Sequence, residues 1–159
     1  VNVLCFGSST GSIDLTVTGG VAPYTYDWAD VAGASNTEDR SGLAAGTYNV
    51  TVTDANGCTK TTSATITQPA NIVLSTTQVN VLCFGSSTGS IDLTVTGGVA
   101  PYTYDWADGA GTSNTEHRGS LAPFTYNVTV TDANGCSKTT SATITQPSKS
   151  EERRARKDR

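Results

Sequence analysis

Apolar and polar positions alternate in short runs along this chain, and no stretch keeps a helical period. Ile13, Leu15 and Val17 alternate with Ser12, Asp14, Thr16 and Thr18, the pattern of a strand with one buried face. The turn-forming run Gly19-Gly20-Val21-Ala22-Pro23 follows, and then Tyr24, Tyr26 and Trp28 alternate with Thr25 and Asp27 as a second strand. Residues 29–42 read as irregular. Tyr48, Val50 and Val52 alternate with Asn49, Thr51 and Thr53, and Asp54-Ala55-Asn56-Gly57 reads as a hairpin turn in which Gly57 takes the positive φ. A last strand is expected over about 59–67, with Ala64 and Ile66 inward and Pro69 closing it. Short strands at hairpin spacing predict an antiparallel β-sandwich.

The pattern then starts again. Residues 1–69 recur as 79–147 at a constant offset of 78 with no gap, and only eight positions differ. Such a duplication means two copies of one folding unit. The expected domains are residues 1–69, residues 70–148 and a basic tail, 149–159. Residues 71–78 lead into the second copy and are expected to form its first strand, for which the first copy has no equivalent. Leu43-Ala44-Ala45-Gly46-Thr47-Tyr48 looks like a tyrosine corner, where a Tyr opening a strand bonds back to upstream backbone. The second copy has Phe124 in place of Gly46, so a positive φ at Gly46 would force a different turn there.

Composition narrows the function. Residues 1–148 carry four bases against eleven acids, a balance of −7, and 149–159 carry six bases against three acids. An acidic body does not suit nucleic acid, which rewards clustered Lys and Arg. No stretch approaches the roughly 20 apolar residues of a membrane span. The single histidine, His117, replaces Asp39 of the first copy, so no nucleophile–base pair recurs in both units and no enzyme is expected.

Cys5, Cys58, Cys83 and Cys136 allow three pairings. Cys5–Cys58 with Cys83–Cys136 respects the repeat and lets each unit fold alone, and closing such a loop contributes on the order of 4 kcal/mol. Zinc and dithiol redox sites want closely spaced Cys or His pairs, which are missing. Disulfides place the chain outside the cytoplasm. No cofactor is required. Calcium is the option to weigh, at Asp27, Asp30 and Asp54 and at their repeats Asp105, Asp108 and Asp132, with Glu38 and Asp39 nearby. The alternative is that such turn carboxylates bond local backbone. Asn49 and Asn127 open N-glycosylation sequons on strands. Tyr24, Tyr26 and Trp28 share one parity, which points them into the core; exposed, they would suit a sugar platform.

The landmarks Cys5-Phe6-Gly7, Gly11-Ser12-Ile13, Gly19-Gly20, the run Pro23 to Trp28, and Gly46-Thr47-Tyr48 through Asn56-Gly57-Cys58 resemble the SprB-type repeat, found in long bacterial surface proteins that include gliding-motility adhesins. The resemblance covers both copies and departs at Pro123-Phe124. It implies tandem immunoglobulin-like domains acting as a spacer or fibre-forming module at the cell surface, with neighbouring repeats or copies of itself as partners. A carbohydrate-binding module that meets surface polysaccharide is the alternative.

Overall fold

A computed structural model describes residues 1–30, 37–107 and 115–149. Contacts divide the chain into two compact units, Val1–Ala70 and Asn71–Arg159.

The second unit is the more complete. One sheet runs β6 (Val73–Val79), β7 (Gly89–Thr96), β9 (His117–Leu121), and the other runs β8 (Thr103–Trp106), β10 (Phe124–Thr131), β11 (Ser137–Ile144), all antiparallel. The first, second and fourth strands share a sheet, as do the third, fifth and sixth. That is the A-B-E and C-F-G partition of an immunoglobulin-like sandwich. Ile91, Leu93 and Leu121 from the first sheet meet Trp106, Tyr126, Val128, Val130, Ala142 and Ile144 from the second in one buried core. Alternation decides the faces, because each strand's apolar residues share one parity. On the outward face of β10 and β11 the hydroxyls of Thr125 and Thr143 meet at 2.9 Å and those of Thr129 and Thr139 at 3.2 Å, cross-strand pairs that hold register.

The first unit pairs β1 (Gly11–Ile13) with β3 (Arg40–Leu43), and β4 (Gly46–Thr53) with β2 (Thr25–Trp28) and β5 (Thr59–Ile66). Two expectations need correction. The strand expected over Ile13, Leu15 and Val17 stops at Ile13 here, and the stretch taken as irregular contains β3. Short, polar and glycine-bearing, β3 carries one buried apolar residue, Leu43, so alternation could not reveal it.

The tyrosine corner is present in both units. Tyr48 Oη donates to the Ala44 carbonyl at 2.9 Å and Tyr126 Oη to the Ala122 carbonyl at 3.0 Å. Gly46 has no positive φ, so Phe124 fits the same turn. The positive φ falls earlier, at a register shift between the paired strands: Gly42 has φ 69° and its counterpart Ser120 has φ 58°. A left-handed serine costs what glycine does not. Ser120→Gly is therefore expected to stabilise the second unit by about 1 kcal/mol, read as a raised denaturation midpoint. A lowered midpoint would mean that the serine is not strained.

Candidate functional site at the poles of each unit

Two turns cap opposite ends of each sandwich. At one pole the hairpin turn is organised by a carboxylate. Asp54 Oδ1 accepts the backbone N–H of Asn56 and of Cys58, both at 2.9 Å, and Oδ2 accepts that of Val21 at 3.1 Å. Gly57, at φ 82°, closes the turn with its N–H on the Asp54 carbonyl at 3.0 Å. These N–H donors, the Cys58 backbone first, hold the Asp54 carboxyl below the usual carboxylate range. Asp132 repeats the arrangement with Asn134, Cys136 and Val99 at 2.9, 2.9 and 3.0 Å, and it is buried. Both aspartates thus act as turn keystones.

The other calcium candidates lie apart. Asp27 and Asp105 stand exposed on β2 and β8, opposite Thr51 and Thr129. Asp30 is ion-paired to Arg40 at 2.6 Å, which lowers its carboxyl pKa, and Asp108 lies outside the described residues. Among the described residues no three His, Cys, Asp or Glu side chains are gathered as metal ligands would be. His117 Nδ1 meets Asp92 Oδ1 at 2.7 Å on an exposed surface.

The opposite pole holds the first cysteine of each repeat. Val3 donates its N–H to the Thr67 carbonyl at 3.0 Å, and Gly7 donates to Gln68 Oε1 at 2.7 Å, so Cys5 sits beside residues 67–68, just past the end of β5. Cys58 sits just before the start of β5. Nine steps at about 3.3 Å put about 30 Å between Cys58 and Thr67. A disulfide needs Cα atoms within about 7 Å. The second unit is built the same way, with Val81 on Thr145 at 3.0 Å and Gly85 on Gln146 at 2.8 Å beside Cys83, and with Cys136 just ahead of β11.

The expected Cys5–Cys58 and Cys83–Cys136 bonds are therefore absent, and the length of the intervening strand is the reason. Cys58 and Cys83 are free, exposed thiols, whereas Cys5 and Cys136 are disulfide-bonded. Apolar side chains lie open beside the free thiols: Leu82 (84% exposed) and Phe84 flank Cys83, and Val21 is held against the Cys58 turn. Lone apolar residues next to turns gave the sequence no signal for this.

The aromatic row lies inward. Tyr26, Trp28 and Trp106 are buried, Tyr24, Tyr102 and Tyr104 are partly buried against the same cores, and each indole donates its N–H inside its own unit, Trp28 to the Thr37 carbonyl at 3.0 Å and Trp106 to that of Thr115 at 3.1 Å. Arg40 covers Trp28 and Tyr48, and Arg118 covers Trp106 and Tyr126, with the guanidinium carbon 5.2–5.5 Å from each ring centroid. Asn49 and Asn127 face outward from β4 and β10.

Residues 1–33 and 75–111 match the family model of the SprB repeat. Each unit thus contains one stretch that matches the SprB repeat. No curated protein matches the chain. Among solved structures it is similar to the amphioxus IgVJ-C2 molecule, with 11% identity over 87% of this chain and 97% of that one and a TM-score of 0.41. It is also similar to the N-terminal four Ig domains of Dscam1 isoform 9.44, with 15% identity over 89% of this chain and 42% of that one and a TM-score of 0.38. SprB repeats on a tandem immunoglobulin-like sandwich make this chain an extracellular structural repeat module.

Proposed function

We propose that this chain is a spacer or fibre-forming module of a bacterial surface protein, working through length and stiffness, whose copies join end to end through their poles. The observation that carries this reading is the separation of the two cysteines of each repeat, which no bond inside the repeat can span. Cys58 at one pole of the first unit and Cys83 at the opposite pole of the second are left as thiols, and exposed apolar side chains stand beside them, as at a contact surface. Stiffness follows from the short connection between repeats. Only residues 67–72 lie between β5 and β6, because the rest of the inter-repeat segment is folded into the second unit as a strand.

The join is a disulfide between Cys83 of one molecule and Cys58 of the next. Each thiol gives up one proton and one electron, one S–S bond forms, and a small-molecule disulfide such as oxidised glutathione takes up both and leaves as two thiols. A link between unlike ends does not close on itself, so it lengthens into a filament.

The chain held near neutral pH with oxidised glutathione is expected to build a ladder of covalent oligomers that a reducing agent collapses. Cys58→Ser and Cys83→Ser should each stay monomeric alone, and a mixture of the two should yield the heterodimer and nothing longer. A wild-type chain that stays monomeric, or mapping that finds Cys58 bonded to Cys5, overturns the reading.

A further inference from the structure

The outward side of the sheet formed by β2, β4 and β5 carries almost no charge. Every outward residue of these strands is Thr, Ser or Asn except Asp27, and β8, β10 and β11 repeat the pattern with Asp105 as the exception. A soluble surface is usually laced with charge, at roughly 25–35% of its residues. Here neither a cation nor an aromatic ring stands among the outward side chains. The two copies differ on this face only at Thr59 and Ser137, one hydroxyl for another, so both units present it.

Strand register sets the groups in rows. Thr51 lies between Asp27 and Thr61, Thr53 lies between Thr25 and Thr59, and Asn49 faces Ser63. Neighbours in a row are about 4.8 Å apart, and successive rows about 6.6 Å apart. Many of the hydroxyls are already tied to one another across the strands. Thr51 meets Thr61 at 3.1 Å and Thr47 meets Thr65 at 3.2 Å, as Thr129 and Thr125 meet Thr139 and Thr143 in the second unit. A hydroxyl has one donor and two lone pairs, so each bonded pair keeps one donor and three lone pairs for an outside group. β-Branching restricts the rotamers of these side chains and the cross-strand bonds fix them further, which leaves little freedom to lose on binding.

We propose that this face binds an extended neutral polysaccharide laid along the sheet. A sugar chain offers what the face offers, hydroxyls that both donate and accept, and its C–H surfaces suit the threonine methyls. Asp27 adds further acceptors, and Asn49 adds both donors and acceptors. The one charge on each face is an acid, so an anionic polymer is repelled and finds no Lys or Arg to hold it. With no ring to stack on a sugar, a single face binds weakly. Its recurrence in both units raises the affinity for a polymer long enough to engage both. The site uses the sides of the sandwiches and not their poles, so the inference does not rest on the cysteine join.

The test uses the full chain carrying Cys58→Ser and Cys83→Ser, which removes that join. It is passed over immobilised β-1,4-glucan, β-1,3-glucan and α-mannan, with alginate as the anionic control, in about 0.5 M NaCl to screen the basic tail. Retention on at least one neutral polymer is expected, and none on alginate. Thr51→Val, Thr61→Val, Thr129→Val and Thr139→Val together remove hydroxyls while keeping shape, and should lower retention about tenfold or more with the denaturation midpoint held. Asn49→Ala with Asn127→Ala is a second set, for use if the first disturbs folding, and should weaken binding to the same polymer. Retention by none of the neutral polymers overturns the proposal. So does retention that both sets of substitutions leave unchanged, or stronger retention on alginate than on any neutral polymer.

Discussion

Gly89→Ala is expected to cost the second unit about 3 kcal/mol, a large part of what holds so small a domain together. An added Cβ would lie 2.7 Å from Ile144 Cγ2, 2.9 Å from the Leu121 carbonyl and 3.3 Å from that of Val79. Two of these neighbours are backbone, and the third is a core side chain that is 2% exposed, so none can yield cheaply. The site needs a residue with no side chain where β7 crosses close over β11. Gly11 meets the same crowding, with Ile66 Cγ2 and the Leu43 carbonyl both at 2.8 Å. Gly135 is the control for the other use of glycine. It has φ 82° with nothing within 4 Å, so Gly135→Ala should cost only about 1 kcal/mol, the penalty of left-handed backbone. Denaturation followed by Trp106 fluorescence separates the two, and equal losses would mean that crowding at Gly89 relaxes freely.

Alternation made most strands legible, because sandwich strands with one wet face write their geometry directly into the sequence. β2, β4 and β7 fall where Tyr26 and Trp28, Val50 and Val52, and Ile91 and Leu93 alternate with polar residues. Residues 71–78 were legible as an opening strand for the same reason, and β6 occupies Val73–Val79. What alternation cannot report is whether a strand has a partner. Residues 11–18 carry the full pattern yet stop pairing at Ile13, since strand state depends on the neighbour as well as on the residues themselves. The cysteines were misleading for a related reason. Equal spacing of Cys5 and Cys58 with Cys83 and Cys136 suggests a bond inside each repeat, but a link from one pole of a repeat to the opposite pole of another respects the same symmetry. The length of β5, which separates the two residues, excludes the bond inside the repeat. Asp54 and Asp132 were legible as turn carboxylates, and what fills their oxygens became clear only once Val21 and Val99 were seen folding back onto the turn.

Removing that carboxylate should be nearly as damaging as crowding Gly89. Asp132→Ala strips the N–H groups of Val99, Asn134 and Cys136 of their acceptor in a buried turn, and an unsatisfied buried donor costs about 1–3 kcal/mol. Because the three donors share one acceptor their losses do not add, and a total of about 3 kcal/mol is expected for the second unit. Asp54→Ala in the first unit should cost less, since Asp54 is partly exposed and water can reach the abandoned N–H groups. The same turn makes the first unit acid-sensitive. Its N–H donors, that of Cys58 foremost, depress the folded-state pKa of Asp54. A depressed carboxyl stabilises the fold above its unfolded pKa of about 3.9, and that contribution fades as pH falls through the lower, folded value. Denaturation midpoints of the first unit, read through Trp28 with Trp106→Phe in place, should therefore fall on acidification below about pH 4. Asp54→Asn should flatten that part of the profile while lowering the midpoint near neutrality. An acid profile identical in the wild type and Asp54→Asn would show that the turn carboxylate is not the group being titrated.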